Sequence, residues 1–249
     1  MNGPVITVQN CSKRFVMNTH PLTAFSLCRH IISRSRQCHE IWALKDVCLD
    51  VAAGDRIGII GDNGSGKSTL LRILAGLYRP TRGTVRVRSD PAAFLQTGIG
   101  MERDLNARDN IFLFGAIMGV PRKKIRECFD DIVRFAEIED HIDCPLRDFS
   151  SGMVQRVAFA IARLVDTDIL LLDEMLASGD IGFRNRCYRL LDEYVHASKT
   201  IIMTSHETEM IRLFCNKCLW LDKGVQKAFG PADAVLNAYA QSKAPVLTV

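Results

Sequence analysis

The chain has 249 residues, 47% apolar and 24% charged, with 32 basic against 28 acidic side chains and a net charge of +4. Such a balance supports one large domain, or one domain plus a subdomain, and excludes intrinsic disorder, a fibrous repeat and a polybasic nucleic-acid arm. The longest run free of polar side chains, 111–120, has ten residues, whereas a helix needs about 20 to cross a bilayer, so no membrane span is predicted.

No basic residue precedes the first apolar segment, and the first cation is Lys13. That argues against a secretory signal and makes the cytoplasm the expected compartment. The nine cysteines are odd in number and lack the spacing of a secreted scaffold, so they are expected to be reduced apolar fillers. Cys215 and Cys218 form a CxxC pair, but no second ligand pair completes a zinc site.

Alternation and β-branching predict strands over 5–9 and 44–51, and a short apolar strand over 55–60 that runs into a glycine-rich turn. A helix is predicted from Lys67, then strands over 83–88 and 92–95. From 106 to 139 the period becomes helical, with Asn106 as N-cap, Ile111, Phe114 and Met118 on one face, and Pro121 opening a second helix. Strands return over 169–172 and 200–204 around a helical stretch, 183–195. A hairpin follows over 218–221 and 225–229, then a helix from Pro231 to near Tyr239. Strands and helices in alternation predict an α/β fold with a mostly parallel sheet flanked by helices.

Gly61, Asp62, Asn63, Gly64, Ser65, Gly66, Lys67 and Ser68 match GxxxxGK[ST] between an apolar strand and a helix. In such a loop backbone N–H groups curl around phosphate oxygens, the lysine neutralises β- and γ-phosphates, and the serine hydroxyl can ligate Mg²⁺. The strand 169–172 delivers Asp173 and Glu174 at its carboxyl end, where open α/β sheets bind ligands. An Asp at that place can hold Mg²⁺, and an adjacent Glu can polarise an attacking water.

Phe149, Ser150, Ser151, Gly152 and Met153, followed by a helix over 154–164 and then the Asp173–Glu174 strand, stand where the LSGGQ signature does in another protein family. On these motifs the chain resembles the nucleotide-binding subunit of an ABC transporter, with Ser151 and Met153 departing from the signature. The resemblance implies a P-loop, RecA-like core with a mostly parallel sheet, an antiparallel β subdomain and an inserted α-helical subdomain. It further implies a single domain over 1–249, with the core in 1–96 and 165–249 and the helical subdomain in 97–164.

The family's site residues carry over position by position. The resemblance implies that ATP is held by Gly61 to Ser68 with Thr69, and Mg²⁺ by Ser68, Asp173 and Gln96. Lys67, Glu174, Gln96 and His206 are implied in hydrolysis. Ser150, Ser151 and Gly152 are implied to contact the γ-phosphate held by the opposite subunit of a homodimer, and Asp180, in a loop over 177–180, to cross the dimer interface. Phe15 is similar to the aromatic that stacks on adenine; a buried core Phe is the other reading, with Phe25 and Trp42 as nearby competitors.

The sequence from Ser150 to Met153, Gly179 and Asp180, the stretch 42–47 and an extra segment over 18–41 are similar to the branch that exports polysaccharides such as capsule, O-antigen or teichoic acid. That branch implies a separate polytopic permease, a lipid-linked polysaccharide handled by the complex, a place on the cytoplasmic face of the inner membrane, and no nucleic-acid partner. In the extra segment Leu22, Phe25, Cys28 and Ile32 recur at helical spacing beside Arg29, Arg34 and Arg36. An amphipathic basic helix is expected there, packed on its own domain or lying at the membrane surface or against the membrane partner. Rival readings are a soluble ABC-type ATPase on ribosomes or DNA, a P-loop kinase or small GTPase, and a scaffold with a degenerate site.

Overall fold

A computed structural model describes residues 3–18, 38–95, 100–174, 181–205 and 207–243. Among these residues nine strands form one sheet in the order β4-β1-β2-β9-β8-β3-β7-β6-β5. They are β1 Ile6–Asn18, β2 Cys38–Val51, β3 Arg56–Ile60, β4 Arg82–Val87, β5 Ala92–Phe94, β6 Ile169–Asp173, β7 Thr200–Thr204, β8 Lys217–Asp222 and β9 Val225–Pro231. The run β8-β3-β7-β6-β5 is parallel throughout, while β4-β1-β2 and the β8–β9 hairpin are antiparallel.

The helices are α1 Lys67–Leu74, α2 Ala107–Ile117, α3 Arg122–Glu127, α4 Phe129–Ala136, α5 Ser151–Ala162, α6 Ile181–His196, α7 Thr208–Phe214 and α8 Ala232–Lys243. Two cores cover the two faces of the parallel sheet. Alternate residues of β6 and β7 divide between them: Leu170, Leu172, Ile201 and Met203 face a core with Ile111, Phe159 and Phe183. Ile169, Leu171 and Ile202 face another with Val8, Leu44, Leu70 and Leu71. Burial on both faces is why these strands read as unbroken apolar runs. Gly58 of β3 permits the close approach of α7, since a Cβ there would lie 2.2 Å from Ile211 Cγ2.

Several elements differ from expectation for local reasons. β1 and β2 are longer than predicted, because pairing shifts at Val8/Cys11, Cys11/Lys13 and Lys13/Arg14 break the period-2 pattern at bulges. Asn18 and Cys38 to Ile41, at the ends of the extra segment expected over 18–41, are therefore strand ends, and the helix expected within that segment, over 22–32, lies outside the described residues. Pro121 precedes α3 as its N-cap residue instead of standing in its first turn. α5 starts at Ser151, ahead of the predicted 154, because the Ser150 side chain caps it. α7 was not predicted, and α8 runs past Tyr239 to Lys243.

Candidate functional site

In the sheet order β3-β7-β6, three parallel neighbours send their carboxyl ends to one edge. β3 delivers the loop Gly61 to Gly66, β6 delivers Asp173 and Glu174, and β7, between them, ends on Thr204. This edge is where ligands of open α/β sheets bind.

The loop is shaped by its glycines. Gly61, Gly64 and Gly66 have φ of +145°, +78° and +106°, a region that side chains disfavour. A Cβ on Gly61 would lie 2.1 Å from the Leu221 carbonyl oxygen, and one on Gly66 2.5 Å from that of Ala43. The loop thus sits directly on the backbones of β8 and β2. The turn between β8 and β9 braces it, with Gly224 N–H donating to the Ser65 carbonyl at 3.0 Å.

α1 leaves this loop without a side-chain cap. Its first ladder bond runs from Leu70 N–H to the Gly66 carbonyl, 2.9 Å, so the N–H groups of Lys67, Ser68 and Thr69 precede the ladder. With the partial positive charge of the helix end they form an anion-binding arrangement. The Ser65 hydroxyl is buried with no hydrogen-bond partner among the described residues, a polar atom that an incoming ligand or water would satisfy.

Lys67 joins the two strand ends. Its side chain is 4% exposed, and Nζ lies 3.9 Å from Glu174 Oε1 while donating to the carbonyls of Gly61 at 2.9 Å and Asp62 at 3.2 Å. Burial pulls the ammonium pKa below its usual value, opposed by the charges of Glu174, Asp173 and Asp62. A desolvated cation beside free helix-end amides is suited to a multiply charged anion.

Thr204 ties the Asp173 carboxylate to the Glu174 backbone. Its hydroxyl donates to Asp173 Oδ1 at 2.6 Å, and Glu174 N–H donates to that hydroxyl at 3.1 Å and to the Thr204 carbonyl at 3.3 Å. Glu174 holds φ of +52°, a left-handed backbone that costs about 1 kcal/mol or more for a residue of this kind. Its side chain is 42% exposed, within reach of solvent. A serine hydroxyl and a carboxylate are hard oxygen donors that fit Mg²⁺ sharing its shell with phosphate and water. Among the described residues, no group of three or more His, Cys, Asp or Glu gathers to hold a metal by itself.

The remaining candidates lie on other elements or outside the described residues. Ser150 is the N-cap of α5, accepting from Met153 N–H at 3.2 Å, with Ser151 and Gly152 opening that helix. Phe15, half-buried on β1, meets Tyr78 edge-on at 5.6 Å, and Lys13 Nζ stands 5.2 Å from its ring. Gln96, Asp180 and His206 lie outside the described residues. Three contacts were not anticipated: Thr204 on the Asp173 carboxylate and the Glu174 N–H, and Tyr239 and Lys243 on Asp62. A threonine closing an apolar strand was the one signal for the first.

Residues 44–177, more than half of the chain, match the model of the family described as ABC transporter. The O-antigen export system ATP-binding protein RfbB of Myxococcus xanthus is 38% identical over 84% of this chain and 48% of its own length, so the chain spans about half of that relative. A protein of the same name from Klebsiella pneumoniae is 31% identical over 97% of this chain and 99% of its own length. A dimeric ATP-binding cassette solved in a post-hydrolysis state with ADP and Pi superposes with a TM-score of 0.71 at 23% identity, covering 91% of this chain and 98% of that one; the likeness is one of fold. With the phosphate loop, the paired carboxylates and the capped serine turn in family order, the chain belongs to the ABC transporter family.

Proposed function

We propose that the chain is the ATP-binding and ATP-hydrolysing subunit of an exporter of cell-surface polysaccharide, of O-antigen or capsule type. The observation that carries the nucleotide reading is Lys67, stretched between the loop carbonyls after β3 and Glu174 at the end of β6. The likeness to the Klebsiella protein over almost the full length of both chains supports the substrate class. No helix among the described residues is long and apolar enough to cross a membrane. In this reading a separate polytopic permease supplies the path, and the chain works peripherally at the cytoplasmic face of the inner membrane.

The chain acts as a homodimer with two composite sites. The amides of the Gly61–Ser68 loop and of Thr69 bind the β- and γ-phosphates, Lys67 neutralises their charge, and Phe15 stacks on the adenine. Ser68, Asp173 and Gln96 hold Mg²⁺, which supplies charge neutralisation on the phosphates. Glu174 takes the proton of the attacking water, and His206 contacts the γ-phosphate. Ser150 and Gly152 of the partner subunit close the site, and Asp180 crosses the interface. The helical stretch within 97–164 carries the closing turn, while 1–96 and 165–249 carry the phosphate loop and the carboxylates. ATP binds the closed dimer more tightly than the open one, so hydrolysis reopens it, and the permease converts that cycle into movement of a lipid-linked polysaccharide.

Replacing the native gene with Lys67→Ala tests the reading in cells. Surface polysaccharide should be lost while its lipid-linked precursor accumulates inside. Unchanged surface polysaccharide would overturn the proposal.

A further inference from the structure

Asp62 brings a negative charge into a loop built to receive anions. Its own carbonyl accepts from Lys67 Nζ at 3.2 Å, which places it beside the cation of the phosphate site. Its carboxylate is met by the last turns of α8: Lys243 Nζ lies 2.6 Å and 2.5 Å from the two oxygens, and the Tyr239 hydroxyl donates to Oδ1 at 3.2 Å. Hydrogen bonds from Lys243 and then Tyr239 hold the Asp62 carboxyl below its usual pKa, so it remains charged.

The brace is itself anchored. The Lys243 ammonium lies 5.5 Å from the Tyr239 ring centroid, and Tyr239 packs edge-on against Trp220 of β8 at 5.5 Å. Together with Asp222 and Lys227 these groups wall a cavity of about 300 Å³ beside the loop. Lys227 pairs with Asp222 at 3.5 Å rather than with the loop.

We propose that Lys243, supported by Tyr239, is a positioning residue of the nucleotide site: it neutralises and holds the Asp62 carboxylate, removing a repulsion that would oppose the triphosphate. The inference rests on the ATP-binding reading above. Both side chains are about half-exposed, at 48% and 59%, so solvent screens the pair and the effect is modest. An exposed pair of this kind corresponds to about a threefold change in affinity.

The test is titration of MgATP into the full chain at about 50 mM and about 500 mM salt, where the screening length shortens severalfold. Lys243→Ala should weaken binding about threefold at low salt and little at high salt, with kcat at saturating ATP unchanged. Lys227→Ala removes a cation from the same cavity wall and should leave affinity unaltered. Because the lysine acts through Asp62, the double variant Asp62→Asn/Lys243→Ala should bind as Asp62→Asn does alone. Wild-type affinity in Lys243→Ala at low salt, or a double variant as weak as Lys243→Ala, overturns the inference while leaving the ATP reading intact. Failure of the wild-type chain to bind MgATP overturns both.

Discussion

Thr204→Val isolates the hydroxyl that bonds both the Asp173 carboxylate and the Glu174 backbone N–H. Valine keeps the shape and the β-strand preference of threonine, so the buried end of β7 stays packed. What disappears is the 2.6 Å donor to Asp173 Oδ1 and the 3.1 Å acceptor for Glu174 N–H. A hydrogen bond to a charged group contributes about 1.5–3 kcal/mol, and Glu174 N–H keeps the Thr204 carbonyl at 3.3 Å, which limits the second loss. The expected destabilisation is therefore about 2 kcal/mol, read as a lower urea midpoint at unchanged slope. Without the shared hydroxyl, the N–H of Glu174, on its left-handed backbone, loses one of the two acceptors that Thr204 offers it. Its carboxylate then drifts from the attacking water, and kcat should fall about tenfold, an increment of about 1.4 kcal/mol in the barrier, with KM for ATP little changed. Thr204→Ser retains the hydroxyl and should recover most of both. A valine variant with wild-type kcat, or a serine variant as impaired as valine, would refute the reasoning.

Ser150→Ala removes the cap of α5 and should cost about 1 kcal/mol of stability; if the serine acts on the opposite subunit's nucleotide as proposed above, hydrolysis in steady-state assays should fall far more than ATP affinity. Gly61→Ala would drive a methyl against the Leu221 carbonyl at 2.1 Å, and isothermal titration should find nucleotide binding abolished in a chain that still folds by circular dichroism. Gly58→Ala meets the Ile211 side chain instead; it should lower the melting midpoint by an overpacking cost of about 1–3 kcal/mol and leave ATP affinity near wild type.

The parts of the fold legible in the sequence are those whose pattern is local. β3, β6 and β7 are apolar runs because both faces are covered, and the phosphate loop is a contiguous motif whose glycines are required by positive φ and by contact with β2 and β8. α7 escaped because its seven residues carry only Met210, Ile211 and Phe214 as buried positions, too few turns for a period to emerge. The outer halves of β1 and β2 escaped because bulges displace the alternation that marks a strand. Thr204 reads as an ordinary strand residue until β6 and β7 are set side by side. Asp62 and Lys243, 181 positions apart, meet only because α8 packs back beside the loop.

The central claim is that two copies close on ATP, and Glu174→Gln tests it most directly. With the proposed base removed the variant should still bind MgATP but hardly hydrolyse it, so the closed form persists. Light scattering after size exclusion should then give a dimer in MgATP and a monomer in its absence or in MgADP. A Glu174→Gln chain that binds MgATP at saturation yet remains monomeric, or one that turns over at the wild-type rate, would contradict the account.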